Sequence, residues 1–175
     1  MKALALIYTT LSVMSFQANT SLVTPTSATY EILSTNIAAC LGGGVAVSVT
    51  KSWWLDLNAC GFFGKSDAGL SGTLPSQLLY SARSVTSYGV KSGASFLYSV
   101  RGDEVLIGPG IPVIYRKTNW PDPGSGYRVE PENRISIGLV ADARIRYKNM
   151  LLLPSVGFLN GPKHFFWNLA AGYTF

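Results

Sequence analysis

Residues 164–175 alternate strictly in character. Phe165, Trp167, Leu169, Ala171, Tyr173 and Phe175 share one face, and His164, Phe166, Asn168, Ala170, Gly172 and Thr174 share the other. Side chains repeat every second residue only in a β-strand, and twelve residues exceed the usual globular strand. The same period recurs upstream. In 135–147, Ile135, Ile137, Leu139, Ala141, Ala143, Ile145 and Tyr147 oppose Ser136, Gly138, Val140, Asp142, Arg144 and Arg146. In 88–100, Tyr88, Val90, Ser92, Ala94, Phe96, Tyr98 and Val100 oppose Gly89, Lys91, Gly93, Ser95, Leu97 and Ser99.

Segments 43–50, 54–64, 105–116 and 150–160 repeat the pattern less cleanly. Leu151, Leu152 and Leu153 blur the last, and Pro109, Pro112 and Pro154 predict bulges or local breaks, because proline cannot donate to a ladder. These make seven strands. An eighth is expected within 27–41, where Tyr30, Ile32 and Cys40 give a weak pattern. The chain length of 175 residues fits one domain.

The polar faces decide which way such a sheet turns. A water-facing strand carries Lys, Glu, Thr and Gln. Here those faces are mostly Gly, Ser and Ala, and only 13% of the chain is charged against 47% hydrophobic. Small residues suit the crowded interior of a narrow barrel, and large apolar residues facing outward suit lipid. The expected fold is all-β: a closed antiparallel up-and-down transmembrane β-barrel of about eight strands. Asp56, Lys91, Asp142, Arg144 and Arg146 then lie in its lumen, where charges must be paired. Tyr88, Tyr98, Tyr115, Tyr147, Phe165, Trp167, Tyr173 and Phe175 form aromatic girdles. Ten residues, the spacing of Tyr88 and Tyr98, cover about 25 Å along a tilted strand, close to the apolar band of such barrels.

Loop lengths agree. With the C-terminus on the periplasmic side, the short turns 51–52, 101–104 and 148–149 are periplasmic. The long connections 65–86 and 117–133 are extracellular, the asymmetry expected of these barrels. Tyr80, Trp120 and Tyr127 are the candidate contacts on them.

Residues 1–18 read as a secretory signal, with Lys2 before an apolar run from Ala3 to Met14 and a weak cleavage site at Ala18; the alternative is a buried N-terminal helix or strand. The barrel then occupies 19–175. An exported chain permits a disulfide, but the inferred register does not place Cys40 and Cys60 opposite one another. Two Cys and one His do not make a structural zinc site, and no cofactor is expected. The formal charge of +5 is spread without a Lys/Arg run, so nucleic acid is not an expected partner.

The ending Ala170-Ala171-Gly172-Tyr173-Thr174-Phe175 resembles the terminal strand of outer-membrane barrels, and 48–64 resembles a hairpin of the small OmpA/OmpX-like barrels. The resemblance implies an outer-membrane location, contact with membrane lipids including lipopolysaccharide, recognition of Phe175 by the barrel assembly machinery, and a monomer. It implies no enzyme: the expected role is structural or exercised through loops. The alternatives are a lipid-modifying barrel enzyme using His164 with Ser155 or Asp122, a narrow pore lined by the lumen charges, and a soluble lipocalin-like binder. The deacylase-type His-x-Ser pattern is missing around His164. Arg101-Gly102-Asp103 spells an adhesion tripeptide, but it sits in an expected periplasmic turn and is ordinary turn chemistry.

Overall fold

The computed structural model describes residues 5–23, 29–71, 84–121, 128–129, 132–162 and 164–175. Eight long strands account for nearly all of them. These are β1 (Ala5–Val23), β2 (Thr29–Ser48), β3 (Trp53–Ser71), β4 (Ser84–Arg101), β5 (Val105–Asn119), β7 (Glu132–Tyr147), β8 (Met150–Leu159) and β9 (Phe165–Thr174). A two-residue strand, β6 (Arg128–Val129), pairs with the far end of β1. Each long strand is antiparallel to the next. β9 returns to β1, from Tyr8↔Thr174 to Ser15↔Trp167, and closes the sheet. The architecture is the closed, eight-stranded, up-and-down barrel that the alternation implies, and the described residues contain no helix.

Two strands differ from the expectation. Residues 5–18, read as an export signal, form most of β1, which pairs with β2 along its whole length. Leu6, Tyr8, Met14 and Phe16 point inward while Ile7, Leu11 and Val13 point outward, so both faces are largely apolar and the run imitates a signal core. The eighth strand expected within 27–41 is not separate. It runs on through Gly43 to Ser48 as the single strand β2. The run Gly42-Gly43-Gly44 looks like an interruption because it has no side chains. In the barrel it makes room: a Cβ on Gly44 would collide with the Tyr8 ring.

The prolines lie within continuous strands. Cross-strand pairing is interrupted between Ser95 and Tyr98 opposite Pro109, between Gly110 and Val113 around Pro112, and between Asp142 and Ile145 opposite Pro154. The register is the same on either side of each interruption, so these are local breaks and not bulges. The register shift in the β4–β5 ladder falls between Ser99 and Arg101, beside the turn.

Three tight turns lie at the end that carries Phe175. Thr50 Oγ1 accepts from the backbone N–H of Ser52 (3.3 Å) and Trp53 (3.1 Å). Gly102 and Lys148 adopt left-handed φ values of 57° and 55° in the other two. At the opposite end the connections 72–83 and 120–131 are long, while 24–28 and 160–164 span five residues each.

The lumen is filled in layers. Nearest the tight turns is an apolar plug of Leu6, Ala46, Trp54, Leu97 and Leu106. A charged layer follows, then a second apolar layer that includes Met14, Phe16, Cys40, Phe62, Ile114 and Phe166. Beyond it, Asn36, Ser66, Ser87 and Thr118 form a polar layer.

Candidate functional site

The charged layer is built around Asp56 on β3. Its Oδ1 lies 3.0 Å from Arg144 Nη1, and both side chains are almost completely buried. The Tyr8 hydroxyl donates to both carboxylate oxygens at 2.9 Å, and the Arg144 guanidinium lies 4.6 Å from the Tyr8 ring centroid. A carboxylate in this position is therefore satisfied by one cation and one phenol, as a buried charge requires. Ser95 donates to Asp142 on the same level, and a Cβ on Gly110 would meet that pair. Lys91 is also buried. A cavity of about 40 Å³ lies between these groups, lined by Tyr8, Asp56, Lys91, Asp142 and Arg144 among others. That volume has room for roughly three waters. Asn58, Ser155 and Asn168 complete its polar wall.

Asp56, Lys91, Asp142 and Arg144 thus share one level of the lumen. Arg146 stands apart: it is half-buried nearer the turns and pairs with Asp103. Arg101 pairs with Glu104 at 3.0 Å, so both charged members of Arg101-Gly102-Asp103 are engaged in ion pairs, in a turn at the end that carries the C-terminus. Sequence reasoning missed Tyr8, which lay in the supposed signal. It also missed Arg116, which donates to the Gln17 carbonyl at 2.5 Å and lies 5.4 Å from the Phe16 ring. The signal for Arg116 was available, since it falls on the polar face of 105–116.

The outer wall has the opposite character. Ile7, Leu11, Ile37, Leu41, Phe63, Val90, Ile111, Ile137, Leu139 and Phe158 are all exposed on it. Tyr88, Tyr98, Tyr115, Tyr147, Phe165, Tyr173 and Phe175 are exposed as well, and Trp167 is half-buried. Tyr98, Tyr147, Tyr173 and Phe175 lie towards the tight turns, with Trp53 stacked on Phe96 at 4.7 Å and edge-on to Tyr98. Tyr88, Tyr115 and Phe165 lie towards the long connections. Phe175 is held by a 3.0 Å bond from its N–H to the Ile7 carbonyl.

Of the candidate loop contacts, Tyr80 and Tyr127 lie outside the described residues. Trp120 is half-buried just past β5. His164 is half-buried with Nδ1 3.2 Å from Gln17 Oε1. Ser155 is not brought to it: it pairs with Asn168, four residues further along β9. Asp122 lies outside the described residues.

No protein-family model and no curated protein matches the sequence. Several solved structures are similar, among them three barrels. The attachment invasion locus protein Ail of Yersinia pestis, in complex with the heparin analogue sucrose octasulfate, is 10% identical with a TM-score of 0.46; the match covers 95% of this chain and 99% of that one. Neisserial surface protein A is 11% identical with a TM-score of 0.45, covering 96% and 95%. The N-terminal β-barrel domain of Pseudomonas aeruginosa OprF is 12% identical with a TM-score of 0.39, covering 95% and 97%. Likeness at this level carries no functional weight, and the barrel rests on its own strand pairings.

Proposed function

We propose that this chain is a monomeric outer-membrane barrel protein whose work is structural or done by its long connections, without catalysis. The observation that carries the membrane reading is the inversion of the wall. Charges are buried in the lumen, while branched aliphatic and aromatic side chains cover the outside. Water would disfavour both choices, and a bilayer favours both. A lipocalin-like binder requires the reverse arrangement.

The reading without transport rests on the filled lumen. Two apolar layers enclose the charged one, and its cavity of about 40 Å³ takes waters but no solute. Loop-mediated recognition is supported by strand length. β1 to β4 have 18–20 residues, whereas about ten tilted residues cross a bilayer. β8 and β9 have ten each. The wall made by β1 to β4 therefore stands well above the membrane on the side of the long connections and presents them to the exterior. Lipopolysaccharide and other membrane lipids are the proposed neighbours of the wall, and the assembly machinery the proposed reader of Phe175.

The test is to fold the protein into detergent and compare boiled and unboiled samples on a gel, with circular dichroism for β content. A compact unboiled band that shifts on boiling supports the reading. A protein that stays monodisperse in water without detergent overturns it.

A further inference from the structure

Where the charged layer meets the second apolar layer, sulfur-bearing side chains from three neighbouring strands share one buried cluster. Met14 of β1, Cys40 of β2 and Cys60 of β3 all point into the lumen and are buried. The Cys40 thiol lies 3.6 Å from the Met14 thioether. Cys60 belongs to the same buried cluster as both of them. The two cysteines are free, and sit diagonally in the β2–β3 ladder, where Cys40 faces Phe62 and Cys60 faces Gly42. Gly42 makes this possible: a Cβ there would collide with that of Cys60.

We propose that Met14, Cys40 and Cys60 form a site for a soft monovalent metal ion of the Cu(I) or Ag(I) type. Two thiols and a thioether are ligands such ions prefer. Zinc is disfavoured, because its structural sites need four ligands. Three metal–sulfur bonds of roughly 2.3 Å in a trigonal plane put the sulfurs about 4 Å apart. The observed 3.6 Å needs only a small rotamer adjustment, which the flexible methionine allows.

Charge also fits. Each thiol releases its proton to lumen water as its bond to the metal forms. The metal keeps its single positive charge, so two thiolates and one ion leave a net charge of minus one. Lys91 supplies the balancing cation. It is buried, directly opposite Cys60 in the β3–β4 ladder, and lines the same cavity. No carboxylate among the described residues forms an ion pair with it. The cavity gives the ion a polar approach to Cys60. The proposal is independent of what the long connections bind.

The experiment uses the whole chain, folded in detergent under oxygen-free conditions and titrated with Ag(I), then with Cu(I) against a coloured Cu(I) chelator. The expected result is one ion per chain, an ultraviolet thiolate-to-metal band, and only sulfur neighbours by X-ray absorption. Cys40→Ser and Cys60→Ser each abolish stoichiometric binding. Met14→Leu, a volume-conserving change, weakens it by more than the roughly 10–100-fold expected for an outer partner. Lys91→Met weakens it while all three ligands remain. Heat-modifiable migration checks that each variant is folded. Where a cysteine variant does not fold, protection of the wild-type thiols from alkylation by one equivalent of Ag(I) is the readout. Equal binding by folded Cys40→Ser, unprotected thiols, or a Cys40–Cys60 disulfide in freshly isolated protein overturns the proposal.

Discussion

Asp56 and Arg144 show how this chain keeps charges inside a wall of apolar strands. Neither side chain reaches solvent, and each is the other's counter-ion. Removing one partner strands the other. Asp56→Asn is therefore expected to lower stability by about 3–5 kcal/mol, whereas the double change Asp56→Leu with Arg144→Met restores much of the loss. Urea titration followed by the unboiled band measures both. Equal losses in the single and double variants would show that the pair is not coupled. Asp56, Lys91, Asp142 and Arg144 were legible as lumen groups because each falls on the small-residue face of an alternating segment. That Asp56 chooses Arg144 was not legible, since the partner lies 88 residues away and depends on register around the ring. The third member, Tyr8, was hidden in an apolar run.

At the scale of the strand, outward and inward positions carry different penalties for the same substitution. Leu169 is exposed on the outer wall midway between Phe165 and Tyr173 of β9. Leu169→Arg is expected to cost about 2–4 kcal/mol, while Tyr147→Arg, at the turn end, costs about 1 kcal/mol or less. Refolding titrations into lipid check the difference, and equal costs would argue against a depth-graded lipid contact. Long alternating strands such as β7 and β9 were legible because large and small residues segregate cleanly. β1 was not, because apolar residues occupy both its faces and mimic an export signal. The unity of β2 was hidden by three consecutive glycines whose use is steric and tertiary. The structural role of β1 leads to a direct expectation: residues 5–18 are retained in the membrane-inserted protein. Mass spectrometry of the heat-modifiable band should find peptides from this stretch. A mature N-terminus at Asn19 would leave β2 and β9 without their shared neighbour and contradict the closure seen here.

For the whole molecule, two apolar layers separated by a charged one make a sealed cylinder. Reconstitution into planar bilayers is expected to give no stepwise conductance, and Leu97→Gly with Leu106→Gly in the turn-side plug should not by itself open a path, because the second layer remains. Steady single-channel currents from the wild-type protein would show that the layers part. The stratification also explains why fold is so much more readable here than role. Alternation fixes which side chains point out of the barrel, while the long connections have no such period.

In the proposed arrangement the apolar outer wall faces lipid. Labelling the folded protein in bilayers with a lipid-soluble photoactivated carbene, and mapping the adducts by mass spectrometry, tests it most directly. Adducts are expected at outward residues such as Leu11, Ile137, Leu139 and Phe158, and none at Met14, Leu97, Ile114 or Phe166. Adducts absent from the outer wall, or concentrated on the lumen set, would contradict it.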